Sequence, residues 1–182
     1  MMKQTMEQTA LPFLPDLAGA GIRRYRCDIP ATVNTCCHSY EQALSTRGRL
    51  LSARIDAGMP RFYYGEPLLI MHLFHDLCEY CLRQDTRGCV VVDLNAEPEG
   101  GKLYTISITI TISGNGIPRD EEEKHFLPAK MAENKAGDDT VFASLYYVRT
   151  ICRIFGGDIS VRNSPGFGTR FMAKIRLSTI EE

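Results

Sequence analysis

The run from Lys102 to Ser113 constrains this chain most. Leu103, Thr105, Ser107, Thr109 and Thr111 alternate with Tyr104, Ile106, Ile108, Ile110 and Ile112. A period of two sends successive side chains to opposite faces of a strand, and β-branched residues suit a pleated surface. Thr109 and Thr111 point one way; the isoleucines point to a face that must be buried.

The neighbouring segments alternate between helical and extended patterns. Ile22 to Ile29 reads as a short strand. Pro30 opens a helix that runs through Val33, Cys37, Tyr40 and Ala43 to about Thr46, since a missing N–H costs nothing in a first turn. Leu50 to Asp56 reads as a strand. Glu66 to Leu82 carries an apolar stripe at helical spacing: Leu69, Ile70, Leu73, Leu77, Tyr80 and Cys81. Gly88 to Asn95 is a strand, and Ala96 to Gly101, with Pro98, a turn. Arg119 to Asp139 reads as a mobile, charged loop. Thr140 to Phe155 is a helix capped by Asp138 or Asp139 and ended by Gly156. Asp158 to Asn163 and Thr169 to Leu177 are strands joined by a Ser164-Pro165-Gly166-Phe167-Gly168 turn. This order predicts an α+β fold, a two-layer α/β sandwich with one mixed β-sheet and helices packed on one face.

A length of 182 residues suits one domain, assigned to 21–182, with 1–20 as a linker or disordered N-terminus. With 21 Lys and Arg against 22 Asp and Glu, the chain lacks the basic excess of a dedicated nucleic-acid binder. No run of about 18 apolar residues exists to span a membrane. The seven cysteines are odd in number and sit in apolar periodic segments, which fits free thiols in a reducing cytoplasm.

Several short motifs occur in a telling order. Gly156-Gly157-Asp158 ends a helix and starts a strand, and Gly166-Phe167-Gly168-Thr169-Arg170-Phe171 begins the last one. Gly65-Glu66-Pro67 precedes a helix, and Ser113-Gly114-Asn115-Gly116-Ile117-Pro118 follows the central strand. From Ile22 to Leu177 the chain resembles the catalytic, ATP-binding domain of sensor histidine kinases, in the GHKL superfamily with gyrase, Hsp90 and MutL, which share the Bergerat fold. The resemblance implies that same fold. It also implies a site in which an aspartate accepts a hydrogen bond from adenine, an asparagine holds Mg²⁺ and glycine boxes admit the phosphates.

Laid on that pattern, this chain departs at most positions. The adenine-binding aspartate falls on Ile112, which has no acceptor. Leaving the adenine amine unpaired costs about 1.5–3 kcal/mol, roughly ten- to a hundredfold in affinity. The paired asparagines of the second helix fall on Asp76 and Tyr80, and a neutral phenol is a poor ligand for a hard cation. Phe142 stands in the second glycine box, where it blocks close approach to phosphate. Gly114 and Gly116 remain, and making a turn is the simpler account of them. His125-Phe126-Leu127-Pro128 resembles the family's F box. His38, His72, His75 and His125 all lack the context of a phosphoacceptor, and His38 reads as an ordinary helix-face residue.

Asp76 or Glu79 could replace the missing metal ligand, although a solvated helix face is the reading preferred. His75, Cys78 and Cys81 recur every three residues, and a cysteine-rich packing face is preferred to a metal site there. No metal ligand is assigned.

The expected function is therefore a degenerate, non-catalytic ATP-binding domain serving as a protein-interaction module in two-component signalling. Its partners would be a histidine kinase, a phosphotransfer protein or a response regulator, and neither nucleic acid nor a membrane span is expected. A homodimer would form through a helical hairpin that this chain lacks. The expected location is cytoplasmic, as the cytoplasmic part of a larger membrane sensor in one version. No cofactor is expected, or Mg-ATP if the site still works. The alternatives are an active domain that passes the ATP γ-phosphoryl to a histidine elsewhere, and a pocket adapted to another small ligand, lined by Ile112, Tyr80 and Phe142.

Overall fold

The computed structural model describes residues 24–83, 88–114, 126, 145–164 and 166–180. Side chains at 81–83 lie outside that description. The order is β1 (Tyr25–Asp28), α1 (Ile29–Ser45), β2 (Leu51–Ile55), β3 (Phe62–Gly65), α2 (Pro67–Arg83), β4 (Val90–Gly100), β5 (Leu103–Ile112), α3 (Leu145–Ile154), β6 (Asp158–Ser164) and β7 (Gly168–Thr179).

One 7-stranded sheet runs β1-β3-β7-β5-β4-β2, with β6 also paired to β7. Among the described residues only the β2–β4 pairing is parallel, so the sheet is mixed. The predicted fold class is thus observed. The central position of β5, between β4 and β7, explains why its hydroxyl face is covered too: Ser107 and Thr109 are buried along with Ile106, Ile108, Ile110 and Ile112. The helices pack on the isoleucine face, where Leu73, Phe74, Leu77, Val148 and Ile151 join Phe171, Ala173 and Ile175 in a single core.

Local chemistry sets the helix ends. The Asp28 carboxylate caps α1 by accepting from Ala31 N–H at 3.0 Å. Glu66 does the same for α2, its Oε2 accepting from Leu68 and Leu69 N–H at 2.9 and 3.2 Å. Helix α3 ends at Gly156, with a φ of 73°. There Gly157 N–H donates to Cys152 O at 2.9 Å and Gly156 N–H to Arg153 O at 3.0 Å, the paired bonds of a Schellman stop.

Two expectations need correction. Residues 96–101 are not all turn, because β4 continues to Gly100, and Pro98 sits opposite Tyr104 where the register shifts. Proline is tolerated at such an irregularity, and the pairing with β2 has already ended at Leu94. The strand β3 is absent from the sequence reading. The stretches 140–144 and 119–139, apart from Phe126, lie outside the described residues, as do 1–23.

Candidate functional site

The end of β5 is clasped from both sides. Cys89 N–H donates to Ser113 Oγ at 2.8 Å, and Ser113 N–H donates to Cys89 O at 3.1 Å. A Cβ on Gly88 would collide with Ser113 O, and a Cβ on Gly168 would collide with Ile112 O. Gly168 also has a φ of 110°, which L side chains rarely adopt. These glycines let two strands approach the very stretch that the resemblance assigns to nucleotide recognition.

Ile112, opposite Thr169 on β7, is 2% exposed. Thr169 is buried as well, and its hydroxyl donates to Asn163 Oδ1 at 3.2 Å. Two residues on, Phe171 meets the ring of Tyr80 from α2, which is 5% exposed. An aliphatic and an aromatic side chain thus occupy the two positions expected to carry the adenine acceptor and the metal ligand. Both belong to the continuous core.

Asp76 lies one turn before Tyr80 on α2. Burial pushes its carboxyl above the usual range, and the facing charge of Glu79 adds to this against the lowering effect of His72 and His75. Gly114 has a φ of 149°, consistent with its turn role. Gly116 and Phe142 lie outside the described residues. Phe171 was not singled out as a site residue, although it closes the Gly-x-Gly-Thr-x-Phe motif that could have flagged it.

Cys78 packs, as preferred, and does not join His75. Cys78 is in the core, whereas His75 is half exposed. His75 instead converges with Asp76 and Glu79, their ligand atoms all within 4.8 Å of one another.

Cavities among the described residues also lie elsewhere. One, of about 670 Å³, opens beside Glu97, Glu99, Asp158, Lys174 and Arg176. Another, of about 530 Å³, runs between α1 and β2. Beside the first, Arg149 donates to Asp158 Oδ1 at 3.0 Å and stacks its guanidinium over Phe126, 4.5 Å from the ring centroid. No helix among the described residues is long and apolar enough to cross a membrane.

Comparison with known proteins follows this geometry. The family described as "Histidine kinase-, DNA gyrase B-, and HSP90-like ATPase" matches residues 65–179. The sensor protein EvgS of Escherichia coli is 24% identical over 159 residues, which cover 85% of this chain and 13% of EvgS. Full-length ShkA, solved in complex with AMPPNP, superposes with a TM-score of 0.70 at 16% identity, covering 91% of this chain and 33% of ShkA. The mycobacterial sensor histidine kinase MprB gives a TM-score of 0.65 at 15% identity, covering 86% of this chain and 99% of MprB. At these identities the structural likeness speaks for the fold alone.

Proposed function

This chain belongs to the histidine kinase-, DNA gyrase B- and HSP90-like ATPase family, and we propose that it is a sensor-kinase ATPase domain whose nucleotide site has closed over. The observation that carries this reading is the burial of Tyr80 and Ile112 within the core. A working site needs an open acceptor and an open oxygen ligand at those two places.

Among the described residues, Ile112 and Tyr80 do not fit Mg-ATP. Ile112 offers adenine no hydrogen bond. Tyr80 spends its ring on Phe171 rather than on lining a cleft. Phosphoryl transfer depends on positioning and on metal, and both sets of groups are replaced together. The domain then acts through its surface, as a regulatory module that contacts a histidine kinase, a phosphotransfer protein or a response regulator in a two-component pathway.

Thermal unfolding of the full chain with millimolar Mg-ATP tests this reading, because a ligand that binds only the folded state raises the midpoint. No shift is expected. A rise of several degrees that requires Mg²⁺ overturns the proposal in favour of an active domain.

A further inference from the structure

We propose that His75, Asp76 and Glu79 on α2 form a surface site for a first-row divalent cation, zinc foremost, that binds without nucleotide. Asp76 is also a position that the resemblance places at the nucleotide site, so the cation is tested with no nucleotide present.

The helix supplies the geometry. At ~100° per residue, position 79 lies about 40° around the axis from 75 and one turn along, with 76 beside both. His75 Nδ1 is 3.6 Å from Asp76 Oδ1 and 3.7 Å from Glu79 Oε2. Those separations are too long for good hydrogen bonds. Ligand atoms around one zinc ion, each at about 2.0–2.2 Å, lie roughly 3.0–3.5 Å apart. All three ligand atoms lie within 4.8 Å of one another, so side-chain rotation that draws the two carboxylates together closes the site.

The imidazole is held in place from the neighbouring helix. The Tyr40 ring packs against it at 5.6 Å, and Tyr40 Oη donates to the His75 carbonyl at 3.4 Å. Fixing a ligand's orientation in advance raises metal affinity. Access is open, since the side chains of His75, Asp76 and Glu79 are 52%, 24% and 33% exposed. Water can complete the coordination sphere.

The donor set selects the metal. One imidazole and two carboxylates favour zinc, nickel or cobalt over magnesium and calcium, which prefer oxygen alone. A dication also offsets the repulsion between the two carboxylates, of which Asp76 is already partly withdrawn from water.

The full chain, treated with a chelator and kept reduced, is titrated with Zn²⁺ by calorimetry and with Co²⁺ by visible absorption, in the absence of nucleotide. One ion per chain is expected, without the near-ultraviolet thiolate-to-cobalt band that cysteine ligation produces. His75→Ala and Glu79→Gln should each weaken binding roughly tenfold or more while unfolding at the parent temperature. A Cys89→Ser control should bind as the parent does. The proposal is overturned by no binding up to about 1 mM metal, by a thiolate band, or by parent-like affinity in both ligand variants.

Discussion

Tyr80 and Phe171 meet edge to face, their ring centroids 5.4 Å apart and their planes inclined by 75°. The contact ties α2 to β7, and in this geometry an aromatic pair is worth more than its buried area alone. Beside it, Ile112 ends β5 within the same core. Tyr80 and Ile112, the positions expected to carry the metal ligand and the adenine acceptor, are thus packing residues. Ile112→Asp should not restore a nucleotide site; it should place an unpaired carboxylate in the core and lower stability by about 3–5 kcal/mol. Urea denaturation measures this, and a loss below about 1 kcal/mol would mean that the position opens to solvent.

Gly168→Ala separates close approach from simple backbone freedom. Its Cβ would meet the Ile112 carbonyl and its φ is 110°, whereas Gly100, at a φ of 131°, has open space around it. Gly168→Ala should cost more than about 2 kcal/mol, and Gly100→Ala about 1 kcal/mol. Equal losses in paired denaturation curves would show that the clasp on β5 is loose.

Acid sensitivity should centre in part on Asp158. Burial disfavours its charge, but Ile159 N–H and the guanidinium groups of Arg149 and Arg153 outweigh it and hold the carboxyl below the usual range. A depressed folded pKa contributes stability above the unfolded value and loses it as pH falls through the folded one. Asp158→Asn should therefore destabilise at pH ~7, by about 1 kcal/mol or less for so exposed a group. The gap to the parent should close at pH ~2–3. Denaturation at a series of pH values checks the sign.

Thiol chemistry should pick out one described cysteine. Cys89 is exposed, while Cys27, Cys36, Cys37, Cys78 and Cys152 are buried. Burial, the larger cause in each case, pushes the Cys37 thiol up to about 11 and the Cys152 thiol up to about 12. Since the thiolate is the nucleophile, an alkylating reagent at pH ~8 should label Cys89 first and the five others only on unfolding. Mass spectrometry of the labelled peptides reads the order.

What the sequence disclosed depends on how local each signal is. The alternation through 102–113 marked β5, because a period of two is visible along the chain. Strand β3 was missed because it is only four residues, 62–65, between Pro60 and Pro67, and it pairs with β1 and β7 rather than with its immediate neighbours. The continuation of β4 through Pro98 was missed because proline and glycine suggest a turn, whereas the hairpin with β5 extends the strand. Tyr80 and Ile112 were legible from the order of motifs, but the contact of Tyr80 with Phe171 and the burial of Ile112 required the fold. A three-residue spacing pointed to His75, Cys78 and Cys81. Each such step falls about 60° short of a full turn, so Cys78 rotates into the core while His75 stays at the surface beside Asp76 and Glu79.

The most direct test of the closed nucleotide site is calorimetric titration of the full chain with a non-hydrolysable ATP analogue in Mg²⁺. The account predicts no binding heat up to about millimolar nucleotide. Micromolar, Mg²⁺-dependent binding would contradict it, and would mean that adenine and metal contacts are made by groups other than Ile112 and Tyr80.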